Sequence, residues 1–392
     1  MIVKHKKRRS GARDFISVTV AAAMIGAGLL TAGPAGAAAP DDHRVVVYYQ
    51  THYQNNTFVP VRPLVDENTG ATHVILATLH NRDDPSELFL NDHPVTDPYF
   101  DPVWEDLQYI QSQGVKVMAM IGGWGGEPTL TRLQNDFDTY YPAIRDFLRD
   151  HNMEGLDLDI EHNFPVDFIA KFIDQLRADF GADFIITMAP VPGGLDGTGD
   201  LLAGIDYDTL YATHGNEIDW FNTQFYCGNG DLTNTAGYDA IIAHGYPASK
   251  VVAGTITNAE NCSRGYIPFE QVLQVTAELT EKYPDFGGVM GWEYFNSDPG
   301  GVDAPWLWSA FMSEAMQLEE ELEELEEFPE VISDKEGEPT ITEENSASPR
   351  ANRGELAATG AYSLDAIPGM LVLLGTGLAL LLRRRFQRAQ QH

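Results

Sequence analysis

The chain has 392 residues, 43% of them hydrophobic and 10% aromatic, which is enough apolar material for a packed core and excludes disorder throughout. Acidic residues outnumber basic ones 58 to 25, and residues 40–359 alone hold 56 of the acids and 15 of the bases. A surface so acidic repels phosphate backbones and other polymers of like sign, which argues against nucleic acid or anionic lipid as a partner. Two cysteines build neither a zinc framework nor a disulfide-dense scaffold.

At the N-terminus, Lys4, Lys6, Lys7, Arg8, Arg9 and Arg13 precede an uncharged stretch from Phe15 to Pro40 that ends in Ala35-Gly36-Ala37-Ala38-Ala39. A basic start, an apolar middle and a small-residue end are the parts of a secretory signal peptide, here residues 1–39. An uncleaved membrane anchor is the alternative.

Residues 43–312 carry eight apolar runs rich in β-branched residues, at 44–50, 73–80, 115–122, 155–161, 184–190, 218–226, 250–257 and 287–294. Segments of helical periodicity lie between several of them, at 103–113, 141–151, 166–180 and 269–283. Strand and helix alternating eightfold over about 250 residues predict a single α/β domain, a closed (β/α)8 TIM barrel. An open doubly wound sheet is the runner-up, but no Gly-rich phosphate loop follows the first strand. Active sites of such barrels form at the C-terminal ends of the strands. There the third run ends in Met120-Ile121-Gly122-Gly123-Trp124-Gly125-Gly126, the sixth in Gln224-Phe225-Tyr226-Cys227 and the eighth in Met290-Gly291-Trp292-Glu293-Tyr294.

The fourth run, Gly155-Leu156-Asp157-Leu158-Asp159-Ile160-Glu161, alternates acid with aliphatic. Side chains of a strand alternate between faces, so Asp157, Asp159 and Glu161 are expected to point together into the barrel, successive carboxylates about 7 Å apart. Repulsion and desolvation should then keep at least one of them protonated, as a general acid requires. On a solvated strand the same acids would simply face water. A calcium site is disfavoured, because alternate residues of one straight strand converge poorly on one ion, and no metal or cofactor is expected. Cys227 and Cys262 fall just past the sixth and seventh runs, which are neighbours around a barrel, and are expected to form a disulfide, with two buried free thiols as the alternative.

The fourth-strand signature closely resembles that of glycoside hydrolase family 18, and Ile121-Gly122-Gly123, Gln224-Phe225-Tyr226 and Trp292 match the same family at three other strand ends. Glu154 and Met120 depart from the commoner Asp and Ser of the family and are expected away from direct substrate contact. The resemblance implies substrate-assisted retaining hydrolysis of N-acetylglucosamine-containing glycans, in which the acetamido oxygen of the substrate is the nucleophile. Glu161 would protonate the leaving oxygen and later activate water, and Asp159 would hold the acetamido N–H. Asp157 would bias the protonation of Asp159, and Tyr226 would bond the acetamido carbonyl. Trp292 would floor the subsite, with Gln224, Met188, Tyr48, Gly122 and Gly123 in its lining. Segments such as Val47-Tyr48-Tyr49-Gln50-Thr51 and Thr187-Met188-Ala189-Pro190-Val191 are similar to fungal endo-β-N-acetylglucosaminidases of the endo-T kind, which cleave the chitobiose core of N-glycans. Chitin contains the same bond, so a chitinase remains open, and a non-catalytic sugar-binding protein is a third reading, against which Glu161 and Asp159 speak.

Residues 313–355 are expected to be an acidic spacer, with 13 acids and one Lys between Glu319 and Glu344, and Leu318 to Leu325 able to continue a helix. Then come Leu356-Ala357-Ala358-Thr359-Gly360, the charge-free run 366–382 and the basic tail Arg383, Arg384, Arg385 and Arg388. Pentapeptide, apolar span and basic tail in that order resemble the sorting signals by which sortases attach proteins to Gram-positive cell-wall peptidoglycan. The resemblance implies cleavage between Thr359 and Gly360 and places the protein on the surface of a Gram-positive, actinobacterial cell. A plain C-terminal membrane anchor is the alternative.

Overall fold

The computed structural model describes residues 43–199 and 205–326, with side chains as far as Gln317. The segments expected to be a signal peptide and a sorting motif, and most of the expected acidic spacer, lie outside the described residues. All eight apolar runs form strands: β1 Arg44–Tyr49, β2 His73–Asn81, β3 Lys116–Gly122, β4 Gly155–Asp159, β5 Ile185–Met188, β6 Trp220–Gln224, β7 Val251–Ile256 and β8 Gly288–Trp292. Each pairs in parallel with its neighbours in sequence order. The sheet closes on itself because β1 pairs with β2, Val46 opposite His73, and with β8, Arg44 opposite Gly288. This is the (β/α)8 barrel read from the sequence.

Alternation sorts the strand residues into two cores. Val45, Val47 and Tyr49 of β1 join the outer layer between strands and helices, while Val46 and Tyr48 point inward to meet Ile75, Met118, Met120, Val252 and Met290. The helices supply the other half of the outer layer. Val166–Phe180 buries Ile169, Phe172, Ile173 and Leu176, the i, i+3, i+4, i+7 stripe of an amphipathic helix, and stops at Gly181, whose φ of +84° suits a C-terminal glycine.

Two features position the site. A hairpin of Leu88–Leu90 and His93–Pro94 adds antiparallel to the far end of β2, walling one side of the barrel mouth. At the opposite, N-terminal face, Glu154 binds Lys116 at 2.6 Å and accepts from the Val117 backbone and Gln111, so this departure from the family pattern is a brace remote from the mouth. The segment between β7 and β8 holds one helix, Phe269–Lys282, and no inserted domain.

The final helix, Leu307–Glu326, runs through the boundary drawn at residue 312 and buries Trp308, Phe311, Met312, Ala315 and Met316. The barrel therefore extends beyond 312 because its closing helix needs those apolar residues to cover the outer core. Trp308 is 1% exposed and its ring faces Gly291 of β8. Trp308→Ala should cost about 3–5 kcal/mol, read as a lowered midpoint of urea unfolding with unchanged slope. A loss below ~1 kcal/mol would show that this helix is not part of the cooperative unit.

Candidate active site

Asp157 lies at the bottom of the site, wholly buried. Its Oδ2 accepts from the Tyr48 hydroxyl at 2.8 Å, and its Oδ1 from Thr187 at 2.5 Å and from Asn222 at 3.1 Å. The Asn222 amide is fixed in this sense because its oxygen is taken by the Trp220 indole N–H, a donor only, at 2.9 Å. Burial holds the Asp157 carboxyl above the ordinary carboxylate range, and the three donors offset part of that rise. Tyr48, expected to touch substrate, sits beneath the site instead. It is 1% exposed, and its alternating position on β1 puts its hydroxyl against Asp157.

Asp159 lies one carboxylate higher and is 4% exposed. Burial, then the charges of Glu161 and Asp157, hold it well above the ordinary carboxylate range. Burial raises Glu161 too, against hydrogen bonds from Gln224 and Asp159 and the neighbouring His162. Both carboxyls are thus biased toward the protonated form, Asp159 the more strongly, so a proton shared by the pair rests on Asp159 and faces Glu161. Gln224 secures the pair: its Nε2 donates to Asp159 Oδ1 at 3.1 Å and to the Ala189 carbonyl at 2.7 Å. Glu161 stands two residues past the end of β4, off the regular strand, and reaches the same cluster from the start of the following loop.

The third strand passes close over this cluster. Gly122 and Gly123 have φ of +109° and +77°, and a Cβ on Gly122 would stand 1.9 Å from the Asp159 carbonyl oxygen, which accepts from the Gly123 N–H at 2.7 Å. Only glycine lets the loop lie there. The two glycines, Met120, Asp159, Glu161, Gln224, Tyr226 and Trp292 line a cavity of about 680 Å³ at the barrel mouth. Met120 was expected away from substrate but is part of this lining, since it occupies an inward position of β3. Tyr226 is buried beside the acids; burial and then the Asp159, Glu161 and Asp157 charges raise its hydroxyl well above 10, so it remains a donor. Trp292 packs on Tyr48 at 5.3 Å between ring centres.

Met188 is not brought to the site. It is the outward neighbour of Thr187 on β5 and lies fully buried in the outer core. Sequence reasoning read the segment as a motif and did not apply alternation to it. Two groups were missed. Trp124, 73% exposed, stands at the lip of the cavity with its ring 5.6 Å from His162; an aromatic inside a glycine run at a strand end was the signal. Glu293, the residue after Trp292, accepts from the Thr51 N–H at 2.8 Å and the Thr51 hydroxyl at 2.9 Å, fastening the end of β8 to the loop after β1. Cys227 and Cys262 are bonded, with Cα atoms 5.7 Å apart, which anchors the residue next to Tyr226 to the loop after β7.

Two outcomes follow from this geometry. A buried acid whose folded value is raised binds its proton more tightly in the folded state, so its contribution to stability falls as pH climbs from the unfolded value toward the folded one. Asp159→Asn removes that burden while keeping one acceptor and one donor, so its melting temperature should exceed the parent's by a few degrees at pH 7, with the gap closing toward pH 4. A variant less stable at every pH would refute the assignment of the proton. Intact mass after alkylation without reductant should show no modified cysteine, and removing the bridge should cost about 2–4 kcal/mol. Two alkylated thiols would mean that Tyr226 is steadied in another way.

The profile of glycosyl hydrolases family 18 matches residues 44–267. Among solved structures, the chain is similar to a fungal endo-β-N-acetylglucosaminidase of that family, 39% identical over 70% of this chain and 98% of the other, with a TM-score of 0.66. It is also similar to the chitinase ChiC from Aspergillus fumigatus, 44% identical over 70% and 99%, with a TM-score of 0.63. Chitinase 2 of Rhizopus oligosporus is 27% identical over 207 residues, and the match spans 49% of this chain and 36% of that protein. With the carboxylate cluster at the mouth of a closed barrel and a family match over more than half its length, the chain belongs to glycosyl hydrolases family 18.

Proposed function

We propose that the protein hydrolyses GlcNAc-β-1,4-GlcNAc bonds with retention, as an endo-β-N-acetylglucosaminidase acting on the chitobiose core of N-glycans. The observation that carries this reading is the graded carboxylate cluster: Asp157 braced by three donors, Asp159 holding a proton, and Glu161 at the cavity wall.

The substrate's acetamido carbonyl oxygen attacks the anomeric carbon, and the bond to the leaving oxygen breaks as Glu161 gives that oxygen a proton. Asp159 leaves the shared proton on Glu161, which thereby becomes the acid, and as a carboxylate turns to accept from the acetamido N–H, whose positive charge grows as the oxazolinium-like ring forms. Tyr226, kept protonated by its burial and its acidic neighbours, donates to the acetamido group and fixes its direction. The flat faces of Trp292 and Trp124 offer stacking surfaces on the floor and the lip of the cavity. Glu161, now a carboxylate, takes a proton from the water that opens the ring, and sharing that proton with Asp159 again, as Asp159 turns back, restores the starting state. No cofactor enters this scheme.

The similarity to the fungal endo-β-N-acetylglucosaminidase favours an N-glycan substrate, and the somewhat higher identity to Aspergillus ChiC favours chitin as the second reading. We further propose export through residues 1–39 and wall attachment at Thr359 after cleavage before Gly360, on the strength of the sequence pattern alone.

Mass analysis of products from a high-mannose glycoprotein and from chitin oligomers, run side by side, tests the reading. Release of glycans ending in one GlcNAc, with one GlcNAc left on the protein, is the expected result; cleavage of chitin oligomers alone would establish the chitinase. Glu161→Gln should keep fold and sugar binding and lose at least ~1,000-fold in kcat, since the amide is isosteric and cannot give up the proton. Turnover within tenfold of the parent would remove Glu161 from that role.

A further inference from the structure

The inward residues of β6, Trp220, Asn222 and Gln224, run from the floor of the barrel to its mouth, and the upper two face the acids of β4. Gln224 donates to Asp159, and Asn222 donates to Asp157. We propose that Trp220 and Asn222 form a positioning relay for the reaction: the indole N–H at the barrel floor locks the Asn222 amide with its NH2 toward Asp157, and this decides which of the three acids carries the catalytic proton. The proposal rests on the hydrolysis described above and adds to it two residues that do not line the catalytic cavity.

Both links of the relay are short and run in one direction. The Trp220 indole donates to Asn222 Oδ1 at 2.9 Å, and Asn222 Nδ2 donates to Asp157 Oδ1 at 3.1 Å. An amide on its own can turn over and bring its oxygen to the carboxylate. A donor-only group behind it forbids this, because the turned amide would set NH2 against N–H and oxygen against oxygen. Trp220, Asn222 and Asp157 are all buried, so solvent does not replace a partner that is lost. The indole is held in turn. The Arg44 guanidinium lies over its ring, 4.5 Å from the centre, and donates to the carbonyls of Ser249 at 3.0 Å and Gly287 at 3.2 Å. His73 meets the ring edge-on at 4.8 Å, and burial pushes its imidazole down to about 3, so it stands there neutral. A cation over the indole face draws on its electrons and polarises the N–H toward its acceptor.

Charge makes the amide decisive. Among the described residues, the titratable groups facing Asp157 are Tyr48 of β1, Asp159 of its own strand with Glu161 beyond it, Tyr207 of the helix Tyr207–His214 and Tyr226 just past β6. None of them is a cation. Asp157 therefore stays ionised through three neutral donors alone, and losing one lets it compete with Asp159 for the proton. A proton on Asp157 lies one carboxylate too deep to reach Glu161 and is lost to the reaction.

Two variants test the relay. Asn222→Leu removes the amide and leaves the floor intact, and Trp220→Phe removes the N–H while keeping a ring under Arg44. Carbon-13 NMR of aspartate-labelled protein reads the Asp157 carboxyl directly, its resonance identified by its loss in Asp157→Asn. In both variants its titration midpoint should rise by about one pH unit, the size of one lost hydrogen bond to a charged group. An unchanged midpoint in either folded variant overturns the inference whether or not the protein cleaves any glycan, so its failure is distinct from failure of the proposed activity. On the substrate that the parent cleaves, kcat at pH 7 should fall about tenfold with KM within twofold, and the acid limb of kcat/KM should move to higher pH together with the Asp157 midpoint. A lowered melting temperature with the limb left in place would mean a purely structural role and overturn the relay. The double variant completes the test: because Trp220 acts through Asn222, adding Trp220→Phe to Asn222→Leu should change kcat less than twofold, whereas losses that multiply would show that the two residues act independently and would refute the proposal.

Discussion

The desolvation of Asp157 within the closed barrel is the constraint on which the rest of the site depends. A carboxylate without water must find its donors in the protein, and it finds them on three different strands, Tyr48 on β1, Thr187 on β5 and Asn222 on β6. Those donors must themselves be held, hence the Trp220 indole behind Asn222. With the lowest acid so fixed, the next one up has fewer donors and more negative neighbours, and it keeps a proton. The gradient from a braced carboxylate to a protonated one to an acid facing the cavity is produced by position along one strand and the turn that follows it.

The same constraint explains why the glycines of the third strand cannot be exchanged for other residues. The cluster needs a roof as well as a floor, and the roof must approach the Asp159 backbone more closely than any side chain permits. Catalytic geometry and backbone packing are one problem at this place, solved by a carbonyl and an N–H 2.7 Å apart.

Much of this was legible in the sequence because the period of two in a strand is a strict code. The eight runs gave eight strands, and the alternation at 155–161 told which acids face inward. Where the reading went astray, it had set that code aside: Met188 was assigned to the site from a resemblance, although its neighbour Thr187 is the inward residue. Tyr48 was placed on the correct face but at the wrong depth, since alternation gives direction and not height. The continuation of the last helix past 312 was blurred by the acidic residues that follow, which mask the apolar stripe of Phe311, Met312, Ala315 and Met316.

The seam of the barrel also ties the chemistry of the site to the two ends of the domain. Glu293 and the loop after β1 that it fastens are separated by 243 residues of chain, and β8 is the last strand to be synthesised. Without β8 neither β1 nor β7 has its partner on that side, and the burial that raises Asp159 belongs to the closed barrel. The acids are set by seven consecutive residues of the fourth strand and the turn after it, but their desolvation depends on strand pairing that spans the whole length of the barrel.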